Sequence, residues 1–426
     1  MSRQERHITV FEHERLRFDT GNKRISETLY KALERYHGTG TPCFKLIHKG
    51  VQFTEYVGVI QVGGTLIEVL PKADRSQNAT QEKRWRNILI DMMRAAGGFD
   101  IHATSDAGLR IRPNTILDLY FELFIRETEY LLHSGLLKQY RKTEGNRMAL
   151  KGSLHFSKHI RENLTHQERF YVRHTTYDVE HRMHMILYKA IRLLRRLNTN
   201  ADLHSRLGAL LLNFPEMPDI AVSEPLFQKM TFNRKTQRYR KAMDIARIIL
   251  LNYHPDLQQG RNDMLALMFD MNLLWERFLY ATLRKFPIEH YKVRAQVSKR
   301  FWQPEAGRGS GLRPDILIER VGKEGDNIVL DAKWKYLNGQ NPSPEDLRQL
   351  YVYHDYFSAR KVALVYPGDK SSANGGVFWS PSENAPTDKT CSVFVLAVPE
   401  KEAGSGKWIT QWQVAIRENI KNWLVE

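Results

Sequence analysis

Two short segments, Arg313-Pro314-Asp315 and Asp331-Ala332-Lys333, constrain this chain more than any other stretch; fifteen residues separate Asp315 from Asp331. Ile316 to Arg320 reads as a strand, Gly322 to Asn327 as a turn, and Ile328 to Lys335 as a second strand, because apolar and polar residues alternate. Side chains alternate faces along a strand, so Asp331 and Lys333 share one side while Ile328, Leu330 and Trp334 share the other. A hairpin folded about Lys323 and Glu324 sets Asp315 beside Asp331. Two carboxylates and a lysine then converge on one spot.

A hard cation such as Mg²⁺, or alternatively Mn²⁺, takes oxygen ligands and keeps several waters. Asp315, Asp331 and the carbonyl of Ala332 suffice to hold one. Such an ion offsets charge developing on a phosphate and lowers the pKa of a bound water, while Lys333 orients or deprotonates that water. The plain alternative is a hairpin carrying a solvated ion pair, because Asp-x-Lys alone is common.

Met264 to Lys285 reads as one helix, with Leu265, Phe269, Leu279 and Leu283 at helical spacing and Glu276 on the same stripe beside Trp275. A carboxylate in an apolar seam is unfavourable unless paired or bound to a cation. Its partner is either a buried arginine or the same metal site, reached directly or through water. Tyr291 to Phe301 reads as a strand. Ser343 and Pro344 open a further helix, with Asp346 in the capping-box position, and Val362 to Tyr366 is the next strand. Gln349 and Tyr353 lie one turn apart on that helix, placed to touch Lys333 or a DNA phosphate, or simply to pack. The order helix, strand, hairpin, helix, strand is an α/β core rather than a helical bundle.

The 426 residues allow two or three domains. The expected organisation is α/β (α+β) and multidomain: a mixed N-terminal region over 1–125, a mainly helical middle over 126–258, and the α/β core over 259–426. In the first region Cys43 to Ile47, Thr54 to Val62 and Thr65 to Leu70 read as strands, with Gly63-Gly64 as a tight turn, and Glu82 to Ala96 as a helix closed by Gly97-Gly98. Helical patterns cover Ile116 to Leu137, His181 to Leu197 and Arg238 to Leu251, whereas Gln139 to His155 looks strand-like and loop-like. Gly368 to Gly376 and Pro381 to Thr390 read as polar loops.

A net charge of +16 favours an anionic partner, most simply nucleic acid. Arg234, Lys235, Arg238, Arg240 and Lys241 form a basic strip suited to phosphate or partner contact, or to a solvated helix face. Cys43 and Cys391 alone give no disulfide framework and no zinc-thiolate site, which points to a reducing, cytoplasmic setting. The N-terminal residues lack a secretory h-region and no apolar run reaches membrane-spanning length. Gly404-Ser405-Gly406-Lys407-Trp408 lacks the first glycine and the Ser or Thr of a phosphate loop, so nucleotide hydrolysis is not expected of this chain.

Several stretches together resemble the McrC family, the nuclease subunit of McrBC-type modification-dependent restriction systems, within the PD-(D/E)xK nuclease superfamily. They are Tyr56 to Gly63 running into Ile67 to Lys72, Asn146 to Gly152, Thr231 to Arg234 with Tyr239, Phe269 to Glu276, Leu312 to Asp315, and Leu330 to Trp334. The resemblance spans roughly residues 50 to 366. It implies a restriction-endonuclease-like αβββαβ core cutting DNA, with Asp315, Asp331 and Glu276 as metal-binding residues alongside Lys333. It also implies a hexameric AAA+ GTPase partner of McrB type, stimulated by the N-terminal part, and a DNA substrate bearing modified cytosine. The helix at His181-Arg182-Met183-His184 lacks the Asn that the family has in this region, and the tail beyond Val377 has no counterpart. Two other readings use the same residues: an adaptor that only activates an NTPase, and a stand-alone repair nuclease.

Overall fold

The computed structural model describes residues 6–19, 24–38, 43–71, 79–96, 115–254, 263–322, 325–337, 339, 341–380, 382–398 and 407–425. The turn residues Lys323 and Glu324, Gly97-Gly98 and Gly404 to Gly406 lie outside them. The chain is mixed α/β and divides into two compact units, one made of 1–110 with 255–426 and the other of 111–254. Within the first unit a strand from the later part of the chain joins the N-terminal sheet.

That strand is Met264–Asp270, expected as the first two turns of a helix. It pairs antiparallel with Tyr56–Val62, which forms a hairpin with Thr65–Leu70, and Thr65–Leu70 in turn runs parallel to Arg6–Phe11. Gly63-Gly64 makes the hairpin turn, with Gly63 at φ 54°. An apolar run such as Met264 to Phe269 has no alternation, so its periodicity cannot distinguish a fully buried strand from a helix. Gly58 admits the strand. Its φ is 139°, and a Cβ there would lie 2.1 Å from the carbonyl oxygen of Leu267. The helix starts only at Met271–Lys285, where the Asp270 carboxylate caps it by accepting from the backbone N–H groups of Asn272 and Leu273.

The second sheet of this unit has the strand order Tyr291–Ala295, Ile316–Arg320, Asn327–Ala332, Ala359–Gly368, Ala385–Ala397, Ser372–Ser380. The first three are antiparallel neighbours, Asn327–Ala332 to Ala385–Ala397 run parallel, and Ser372–Ser380 closes the edge antiparallel. The expected strand Tyr291 to Phe301 is broken: Gln296 sits at φ 54°, and Lys299–Trp302 leaves the sheet to pair with Ser310–Leu312. The expected strand Ile328 to Lys335 ends at Ala332. The two expected polar loops instead contribute much of the hairpin Ser372–Ser380 with Ala385–Ala397, and a helix follows at Lys407–Val425.

Pro344–Tyr356 is helical as expected and buries Leu350 and Tyr353 with Leu317, Val329, Val362, Leu364 and Tyr366. The Met271–Lys285 helix is held by tryptophans. Trp275 packs on Trp334 and Trp412, and Trp412 on Trp408. Trp334 also meets Trp85 edge-on and donates to Glu12, so the N-terminal segment is part of the same core.

The unit 111–254 carries the helices Ile116–His133, Arg182–Leu197, Ala201–Asn213 and Arg240–Leu251, and a three-stranded sheet of Gln139–Arg147, Phe170–Asp178 and Ser153–Leu154. Arg206 joins Glu122 and Glu129 of the first helix at 2.5 and 2.6 Å. His184, fully buried, faces Tyr239 Oη at 2.9 Å through Nε2 and the carbonyl of Val179 through Nδ1. Burial lowers its pKa to about 4.

Candidate active site

Ile316 pairs with Leu330 across the antiparallel hairpin, so Asp315 and Asp331 stand one step beyond that rung on adjoining strands. The backbone N–H of Ala332 donates to Asp315 Oδ2 at 2.8 Å, which ties the first acid to the second strand. Asp331 is 1% exposed, on the innermost parallel part of the sheet. Lys333 Nζ lies 2.7 Å from Asp331 Oδ2. The ammonium is the charged partner of that buried oxygen. Asp315, Asp331 and Lys333 are therefore assembled by strand register, as anticipated.

Burial pushes the Asp315 carboxyl up to about 7, helped by the neighbouring Asp331 charge and by Glu276. Burial also raises Asp331, against the pull of Lys333, with Asp346 adding to the rise. Lys333 moves upward because Asp331, Asp346 and Asp315 outweigh its desolvation. Two buried carboxyls side by side, each resisting ionisation, are a donor set that fits a divalent cation.

Glu276 stands on the Met271–Lys285 helix but not on a stripe with Phe269, which belongs to the preceding strand. It is half-buried and accepts from Gln296 Nε2 at 3.3 Å. Burial raises its pKa, and Asp331 contributes. Its hydrogen-bond partner is Gln296, and the charges of Arg277 and Arg313 pull its pKa down while Asp331 pushes it up. Among the described residues no three His, Cys, Asp or Glu side chains converge closely enough to ligate one ion together.

The helix above the sheet adds a polar chain. Lys333 Nζ donates to Gln349 Oε1 at 3.4 Å, Gln349 Nε2 donates to Tyr353 Oη at 2.7 Å, and Tyr353 Oη donates to the carbonyl of Arg313 at 3.2 Å. Burial raises the Tyr353 phenol to about 12, keeping it a donor. Asp346 shows only half of the anticipated capping box. Its N–H donates to Ser343 Oγ, while its carboxylate faces Lys335 and Tyr366, both at 3.5 Å, and lies 3.8 Å from Lys333. Sequence reasoning missed Asp346, Gln296 and Arg313 as members of this group. Asp346 was legible only as a cap, and Gln296 only as a strand residue. A cleft of about 540 Å³ opens beside the acids, lined by Gln296, Ser298, Gly311, Leu312, Arg313, Gln349 and Tyr353.

The basic strip lies in the other unit. Arg238 donates to the carbonyls of Ser134 and Gly135 at the end of a helix, and Arg240 covers the Phe232 ring. Arg234 and Lys235 are exposed and Lys241 half-buried. No described helix is long and apolar enough to cross a membrane.

The model of the family described as McrBC 5-methylcytosine restriction system component matches residues 51–367. No curated protein matches the chain. Among solved structures, the chain is similar to a Thermococcus gammatolerans half-complex, described as McrB AAA+ hexamers with bound McrC. The identity is 19%, the TM-score 0.69, and the match covers 98% of this chain and 99% of that one. A cryo-EM structure of the Thermococcus gammatolerans McrBC complex is 20% identical over 66% of this chain and 87% of that one, with a TM-score of 0.48.

Proposed function

Because this chain belongs to the McrBC 5-methylcytosine restriction system component family, we propose that it is the McrC-type subunit, a Mg²⁺-dependent DNA endonuclease of PD-(D/E)xK type. The observation that carries this reading is the pair Asp315 and Asp331 on adjoining strands with Lys333 against Asp331. Their carboxylates would hold the metal with the Ala332 carbonyl, and Glu276 would reach it through water. When bound, the ion supplies charge stabilisation at the phosphate and a water of lowered pKa. Lys333 holds and orients the attacking water or offsets transition-state charge. Gln349 fixes the Lys333 ammonium, Tyr353 fixes Gln349, and the carbonyl of Arg313 anchors Tyr353.

The partner is a hexameric AAA+ GTPase of McrB type, and the substrate is DNA bearing modified cytosine. The family supports this, as does the solved half-complex in which McrC is bound to McrB AAA+ hexamers. A protein partner is also supported by the apolar surface of the 139–178 region, where Tyr140, Met148, Leu150, Phe156, Ile160 and Leu164 are exposed. The test is to assay modified and unmodified plasmid with this chain, the AAA+ partner encoded beside it, Mg²⁺ and GTP or ATP. Cleavage by wild type, and its loss in Asp331→Ala with stimulation of the partner NTPase retained, is the expected result. Stimulation without any cleavage points to an adaptor. Cleavage without partner or nucleotide points to a stand-alone nuclease.

A further inference from the structure

Between Tyr291–Ala295 and Ile316–Arg320, just before Asp315, the chain leaves the sheet as a two-stranded ribbon, Lys299–Trp302 paired with Ser310–Leu312. From Gln296 to Arg313 it has four basic residues, Lys299, Arg300, Arg308 and Arg313, against the single acid Glu305. Phe301 is 48% and Trp302 59% exposed. Large aromatics on a surface ribbon lose contact with water only if something covers them.

The ribbon is slim because glycines let its strands approach. A Cβ on Gly311 would lie 2.6 Å from Ser298 Oγ, and one on Gly309 would lie 2.8 Å from the carbonyl oxygen of Trp302. It is also anchored: Phe301 packs on Tyr356 of the helix above the site, and Lys299 lies over the Phe357 ring. Its base, Ser298, Gly311 and Leu312, forms one wall of the 540 Å³ cleft whose other wall is Gln349 and Tyr353. The cleft therefore opens at the base of the ribbon.

We propose that this ribbon enters the major groove of the DNA duplex flanking the scissile phosphate, with Arg300 and Arg308 on the backbone and Trp302 against the bases. The proposal rests on the nuclease reading above and adds the element that positions its substrate. A two-stranded β-ribbon fits the major groove of B-DNA. Its excess positive charge complements phosphate, and its continuity with the cleft directs the bound strand toward Asp315 and Asp331.

The experiment uses the full chain carrying Asp331→Asn, which retains shape but should not cut, with a fluorescent DNA duplex and the matching single strand, titrated over a range of salt. Added in this background, Trp302→Ala should weaken duplex binding about tenfold, the order expected for one lost contact to base edges in the major groove. Arg300→Ala should reduce the slope of log affinity against log salt by about 0.9, the value for one lost phosphate contact. The thermal unfolding midpoint should not move. Unchanged duplex affinity in both variants would overturn the proposal. Equal losses on single strand and duplex would overturn the groove assignment, and a changed oligomeric state with unchanged DNA affinity would make the ribbon a contact between copies. Cleavage assays in the otherwise wild-type chain, with the AAA+ partner, Mg²⁺ and nucleotide present, separate the two readings. Full cleavage by the Arg300 and Trp302 variants sinks the ribbon proposal alone. Absence of metal-dependent cleavage by the parent, with the binding losses intact, sinks the nuclease reading alone.

Discussion

Asp315→Asn should make the metal-free protein more stable while removing its cleavage activity. The Asp315 carboxyl is pushed up to about 7, from an ordinary 3.8, by burial and by the adjacent Asp331. Each pKa unit corresponds to about 1.4 kcal/mol, so ionising Asp315 in the folded state costs at most ~4 kcal/mol. Sharing between the two acids lowers the expected gain to roughly 2–4 kcal/mol. The sign follows from which state ionises first. Below about pH 4 both states are protonated and the substitution changes little. As pH rises, the unfolded chain ionises near 3.8 while the folded one waits until about 7, so the wild type loses stability across that window and the asparagine variant does not. The Asn side-chain oxygen can still accept from the Ala332 N–H, which bonds Asp315 Oδ2 at 2.8 Å, so the fold is preserved. Denaturant unfolding in EDTA at pH 5 and pH 8 measures this. The stabilisation should grow between the two, and added Mg²⁺ should stabilise the wild type but not the variant. An Asp315→Asn protein that is no more stable at pH 8, or equally stabilised at both pH values, refutes the account of a charge-strained metal pocket.

Lys333→Ala should slow single-turnover cleavage by about 10²–10⁴-fold, the usual range for a residue handling a proton or its charge. Gln349→Ala, which only frees the ammonium held at 3.4 Å, should slow it by less, and equal losses would contradict the positioning role. Gly58→Ala should destabilise by roughly 3 kcal/mol or more, read from the denaturant midpoint. The new Cβ collides with the Leu267 carbonyl, and the φ of 139° is strained for any other residue. His184 is neutral when folded, with its pKa lowered to about 4 from an ordinary 6.5. The wild type should therefore lose about 3 kcal/mol relative to His184→Asn as pH falls from 7 to 4, and parallel pH profiles for the two proteins would contradict this.

Local alternation of side chains was enough to place Asp331 and Lys333 on one face and to predict that a hairpin brings Asp315 alongside, since strand period and antiparallel register are properties of short segments. The Ser343-Pro344 helix start and the Gly63-Gly64 turn were legible for the same reason. Local pattern could not say that Met264–Asp270 is a strand, because an apolar run is identified by its neighbours and its pairing partner lies some two hundred residues away at Tyr56–Val62. Nor could it show that the Asp346 carboxylate turns from its own helix toward Lys335, or that Glu276 meets Gln296. Those contacts span only 11 and 20 residues, but they join separate elements whose packing no local pattern sets. The amino-acid order thus determined which acids and which amine meet on the paired strands. Packing of distant segments decided how deeply they are buried, which second partners hold them, and what surface a substrate meets on approach.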